Sequence, residues 1–264
     1  MSAASVIVAG GFSSLQGPTI RFLEEAGRWG RVHVVLWEEP APDGPAKYTA
    51  AERRYVLENI RYVSSVSIGE EPGFPPAGIP EPRIWAVAGQ DDTPERRSFC
   101  AAHGIQYRVI PAEALRDYPA IPPPPPSARK KVIVTGCFDW FHSGHVRFFE
   151  EASAYGELYV VVGSDANLRL LKGDGHPMFS QEERRYVVQS VRFVAQALVS
   201  TGAGWMDAEP EVERVRPDIY LVNEDGDQPE KREFCKRHGL EYVILKREPK
   251  PGLPRRQSTD LRGF

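Results

Sequence analysis

The chain has 264 residues, 41% hydrophobic and 26% charged, which is enough for two modest domains or one large one. A net charge of −3 with no basic block argues against a nucleic-acid partner, and no apolar run approaches the ~20 residues of a membrane-spanning helix. Three cysteines, Cys100, Cys137 and Cys235, lack the CxxC spacing of a zinc site and suit free thiols in a reducing, cytoplasmic setting.

In chain order, the first apolar run is VIVAGGF at 6–12, a β-branched strand that leads straight into glycines rather than a secretion leader. A helical stretch containing RFLEEA follows at 21–26, then a second strand, a helix around ERRYV (52–56), a third strand, and a helix around PERRSFCAAHG (94–104). At 119–130 the sequence PAIPPPPPSARK interrupts this pattern. Its five consecutive prolines can continue neither a helix nor a sheet ladder, so the segment reads as a stiff spacer.

Beyond the spacer the pattern is written again. Shifting residues 6–36 by 126 places VIVAGGF on VIVTGCF and RFLEEA on RFFEEA, with 13 of 31 positions identical. A shift of 131 superposes ERRYV on ERRYV (183–187), and a shift of 135 superposes DTPERRSFCAAHGIQY on DQPEKREFCKRHGLEY. The slow growth of the offset is that of a tandem repeat with short loop insertions. Each copy reads strand, helix, strand, helix, strand, helix, strand, four strands in all. In the second copy the second helix spans SQEERRYVVQSVRFV and opens on a capping-box-like Ser180-x-x-Glu183, while the third closes on Gly239. Strands alternating with helices predict an α/β class: two tandem doubly wound, Rossmann-like parallel-sheet domains at 1–118 and 131–264, joined by the 119–130 linker. In such sheets ligands sit beyond the carboxyl ends of the strands.

Those ends in the second copy carry GCFD, GSD and NED. Directly after the first strand, GCFDWFHSGH places His142 and His145 near the start of a helix, where N–H groups and the helix dipole attract phosphate. Two imidazoles there add donors for a transferring phosphoryl group. A metal pair is the rival reading, but no third ligand stands at motif spacing.

GCFDWFHSGH resembles the HxGH signature of the nucleotidyltransferase superfamily, in particular its cytidylyltransferase group. The likeness continues through LKG at 171–173, the segment at Arg192, NED at 223–225 and a terminal SerThr, covering nearly all of 130–264. Adenylyltransferases that activate sugar phosphates share the HSGH and LKG stretches. The resemblance implies transfer of a nucleoside monophosphate, CMP from CTP in the main reading, to a small phosphorylated alcohol or sugar phosphate, with Mg²⁺ arriving on the triphosphate. Adenylyl transfer to a sugar phosphate and a non-catalytic nucleotide-binding scaffold are the alternatives.

The implied catalytic groups are His142, His145 and Lys172. The implied nucleotide-binding positions are Gly136, Cys137, Phe138, Asp139, Gly144, Arg192, Asn223, Asp225, Arg256, Ser258 and Thr259. Asp139 is expected as a loop organiser or Mg²⁺ neighbour, and no resident protein-held metal is expected. One departure is visible. The group's tail usually reads RTEGIST, whereas GLPRRQST here has Leu253 at the arginine position, leaving Arg255 or Arg256 to serve instead.

The first copy lacks this chemistry. His142 and His145 align with Gln16 and Thr19, Asp139 with Ser13, and Gly144 with Pro18, while the loop DGPAK at 43–47 has no LKG. It reads as a catalytically dead copy, expected to pack on the second as an intramolecular pseudo-dimer.

Overall fold

Residues 4–38, 47–69 and 83–257 are described by the computed structural model. They fall into two compact units, 1–118 and 119–264.

In the first unit, β1 (Ser5–Gly10), β2 (Arg31–Trp37), β3 (Val63–Gly69), β4 (Arg83–Ala88) and β5 (Gln106–Ile110) form one parallel sheet in the order β3-β2-β1-β4-β5. Three helices accompany them: α1 (Gly17–Gly27), α2 (Ala50–Glu58) and α3 (Pro94–Ala102). The central strand is apolar on both sides, with Val6, Ile7 and Val8 fully buried, which is why its sequence does not alternate.

The second unit repeats the plan. Its sheet runs β10-β9-β6-β7-β8, built from β6 (Lys131–Gly136), β7 (Glu157–Val162), β8 (Val194–Val199), β9 (Ile219–Asn223) and β10 (Glu241–Leu245), again all parallel. Its helices are α4 (Ser143–Ser153), α5 (Asp165–Lys172), α6 (Gln181–Ser190), α7 (Glu209–Val215) and α8 (Pro229–His238). Ser180 accepts the Glu183 N–H at 3.2 Å to cap α6, and Gly239 ends α8 in the left-handed conformation at φ +67°.

Each sheet has five strands where the sequence pattern predicts four. The missing member is the edge strand, β3 or β8. In the second unit the helix expected to run through SVRFV stops at Ser190, and the chain turns at Val191–Phe193 into VAQALV. Two of its six residues are buried, so it lacks the continuous apolar run that marked its neighbours.

The two units share unusual local geometry. Phe12 and Phe138, equivalent in the repeat, both adopt positive φ (47° and 53°), a conformation costing an ordinary side chain roughly 1–2 kcal/mol. A buried arginine holds the loops around each. Arg184 donates to the carbonyls of Phe179, Cys137 and Gly163 at 2.7–2.9 Å and pairs with Asp165 at 2.7 Å. Arg53 does the same in the first unit through the carbonyls of Tyr48, Gly11, Trp37 and Glu38. Both sit at the first arginine of ERR in the repeated ERRYV.

Candidate active site

The carboxyl end of β6 opens into a cleft of about 430 Å³. Gly136, where the strand ends, has no room for a side chain: a Cβ there would lie 2.7 Å from the Phe138 ring. Phe138 in turn packs edge-on against His145, with ring centroids 5.2 Å apart. The following loop is tied down by Asp139, which is 2% exposed and accepts the backbone N–H groups of Met178 and Phe179 at 2.9–3.0 Å. Both its oxygens are thereby used, so Asp139 organises the loop and is a poor candidate for a metal ligand.

His142 caps α4. Its Nδ1 accepts the Gly144 N–H at 3.1 Å, and its own backbone N–H is donated to His145 Nδ1 at a longer 3.4 Å. An imidazole nitrogen that accepts a backbone proton carries none itself, so both rings take the tautomer with the proton on Nε2. The two rings stack at 3.9 Å between centroids. His145 lines the cleft, whereas His142 is 2% exposed and stands behind it. The sequence suggests equal roles for the two histidines; in the fold only His145 lines the cleft, while His142 is buried beside it.

Gly144 makes this stacking possible. An added Cβ would meet His142 Cε1 at 2.9 Å and Nδ1 at 3.0 Å, and the ring, pressed against His145, has little freedom to yield. The Gly144→Ala variant is expected to lose the cap bond, lower stability by about 1 kcal/mol and reduce turnover at least tenfold. Thermal melts and pyrophosphate-release rates on the same preparation check both parts.

Burial, the neighbouring His142 and the Arg247 charge hold the His145 pKa well below its ordinary value of 6.5. The free protein therefore presents this ring neutral at pH 7. The unfolded chain binds a proton here near pH 6.5 and the folded chain does not, so stability must decline as pH drops below about 6.5. Melting temperatures between pH 7.5 and 5.5 should show that decline, and the His145→Gln variant should flatten part of it.

Cations ring the cleft. Lys172 ends α5 and is exposed at its mouth. Lys231, on the first turn of α8, donates to the Gly226 carbonyl at 2.9 Å; burial pushes its pKa down, opposed by Asp207, Asp227 and Asp225. Arg247, just past β10, pairs with Asp225 and donates to the Arg256 carbonyl at 3.0 Å. The sequence reading did not place Lys231 or Arg247 in the site, because each is remote from the HSGH stretch in the chain. The only signal was that Lys231 follows the NED end of β9, and that Arg247 belongs to a basic run after the last strand.

Of the other expected positions, Cys137, Asn223 and Asp225 also line the cleft. Arg256 lines a small neighbouring depression beside Gly144 and Arg247. Arg192 is corrected: it lies exposed in the turn that precedes β8. In a parallel sheet that turn is at the amino ends of the strands, away from the cleft. Ser258 and Thr259 fall outside the described residues. Among the described residues no group of three or more His, Cys, Asp or Glu is arranged to hold a metal, and no helix is long and apolar enough to cross a membrane.

A neutral imidazole at a helix amino terminus thus lines a cleft that also holds two lysines and an arginine, a lining whose chemistry suits phosphate. Comparison with known proteins gives that site its class. Residues 133–256 match the family described as Cytidylyltransferase-like. An FAD synthase from Aciduliprofundum boonei is 35% identical over 119 residues, covering 44% of this chain and 76% of the relative. The bifunctional protein HldE from Syntrophotalea carbinolica is 30% identical over 134 residues, half of this chain but 26% of that protein. A solved structure, the lipopolysaccharide core biosynthesis protein from Thermoplasma volcanium GSS1, is 25% identical with a TM-score of 0.39, covering 47% of this chain and 99% of that one. The chain belongs to the cytidylyltransferase-like family of HxGH nucleotidyltransferases through its second unit.

Proposed function

We propose that the second unit transfers an adenylyl group from MgATP to a small phosphorylated acceptor, releasing pyrophosphate. The observation that carries this reading is His145, neutral and facing a cleft whose cations are Lys172, Lys231 and Arg247, while its two carboxylates, Asp139 and Asp225, are engaged by backbone N–H groups and by Arg247. An acceptor phosphate oxygen attacks the α-phosphorus in line, the α–β bridging bond breaks, and its electron pair leaves with pyrophosphate. No covalent intermediate on the protein is required, so the residues contribute by positioning and by stabilising charge. His145 donates to the α-phosphate oxygens as negative charge moves toward the leaving group, while the three cations hold the β- and γ-phosphates and the acceptor phosphate. Mg²⁺ would be supplied with the nucleotide rather than by a protein carboxylate, since Asp139 is committed to backbone N–H groups and Asp225 to Arg247.

The choice of adenine over cytosine follows the similarity to FAD synthase, whose product carries an adenine nucleotide. It also agrees with Leu253 standing where the cytidylyltransferase tail has its arginine. The CTP preference of the first reading is therefore replaced. Pyrophosphate release should be measured with ATP and CTP against flavin mononucleotide, sugar phosphates and phosphoethanolamine, with His145→Ala as control. Turnover at least tenfold faster with ATP is expected. Faster turnover with CTP overturns the adenylyl assignment, nucleotide binding without turnover leaves the scaffold reading, and absence of both overturns the nucleotide site itself.

A further inference from the structure

The first unit keeps a cleft of about 310 Å³ at the carboxyl end of β1, in the position equivalent to the one just described. Its charged lining is different. Among the described residues that form it, the only charged groups are Asp91 and Arg96, and no histidine is present. Arg96 aligns with Lys231 in the repeat and keeps a cation on the first turn of the third helix. It donates to the Asp91 carbonyl and lies 5.9 Å from the Trp85 ring centroid. The position equivalent to Arg247 is Ala112, and Asp225 is replaced by Gln90. Such a cleft cannot balance a triphosphate, but it suits one phosphate group.

The rest of the lining suits a nucleoside. The GGFSS loop keeps the glycine strand end and the left-handed Phe12, so the backbone that shapes the active cleft is retained. Pro18 and Thr19, on the first turn of the 11-residue α1, face the opening, and the N-cap residue Gln16 makes no side-chain cap bond there. Phe22 and Trp37 supply ring surface. Trp37 is 7% exposed, and its Nε1–H is buried without an acceptor among the described residues.

We propose that the first-unit cleft is a second, non-catalytic site that binds a nucleoside monophosphate, its phosphate at Arg96 and the start of α1 and its base against Trp37 and Phe22. The site stands on these residues alone and does not depend on which nucleotide the second unit consumes.

Calorimetry of the full chain with AMP, with adenosine as comparison, tests it. One AMP per chain is expected at the first-unit cleft, joined by a second if the second unit also takes AMP. The His145→Ala/Lys172→Ala variant should retain the first-unit one. Arg96→Ala should weaken that remaining site by about ten- to a hundredfold, the worth of a charge-assisted hydrogen bond, and Trp37→Phe by about two- to tenfold, with melts confirming the fold. A single AMP per chain that disappears with His145 and Lys172, or no AMP binding at millimolar concentration, overturns the proposal. Tighter binding of adenosine than of AMP overturns the phosphate assignment.

Discussion

Pyrophosphate release by the His145→Ala variant is expected to fall by about 10²–10³, the usual cost of deleting one preorganised donor to a transition-state oxyanion. The loss should appear in kcat more than in KM, because Lys172, Lys231 and Arg247 still gather the triphosphate. His142→Ala should behave differently. That ring stands behind His145 and caps α4, so its removal should lower the melting temperature as well as the rate. His142→Asn, which restores a cap without the stacked ring, should recover the melting temperature but not the rate. Steady-state kinetics and melts of the three variants separate these roles. An alanine at 145 that leaves kcat within a few-fold of the parent would refute the site.

The largest stability effect is expected at Arg184. Its guanidinium is 1% exposed and joins the loops after β6 and β7 to the segment preceding α6. Alanine there leaves three carbonyls and Asp165 without their donor and opens a void of arginine size. The cost should be about 3–5 kcal/mol, the range for breaking a buried charged network. Arg53→Ala should cost a similar amount through the first unit. Urea unfolding followed by fluorescence measures both. A loss below 1 kcal/mol at Arg184 would mean that water enters and replaces the guanidinium.

The repeat, the central strands and the HSGH corner were legible because each leaves a local mark: identity at fixed offset, a β-branched run, two histidines after a strand. The edge strands were not. VAQALV is short and half-exposed, and it follows a helix with only a brief turn, so its alternation is lost in the helical pattern. Arg184 was visible only as part of ERRYV. An arginine on an amphipathic helix ordinarily reads as solvent-facing, and its identity in both copies was the sign that the fold, not the chemistry, required it. Arg192 was misplaced because sequence alone does not reveal which rim of the sheet a residue beside a strand occupies. Lys231 and Arg247 are brought to His145 by strand order, with β9 beside β6 and β10 beyond it.

The paired caps at the start of α4 limit what can be joined here. With one nitrogen of each imidazole engaged by the main chain and the other already protonated, neither ring can strip hydrogen from an alcohol. In the proposed reaction the nucleophile would therefore enter already anionic, as a phosphate oxygen does at neutral pH. On that reading, compounds offering only a hydroxyl would be turned away by chemistry rather than by shape, and water, equally in need of a base, would be kept from wasting the nucleotide.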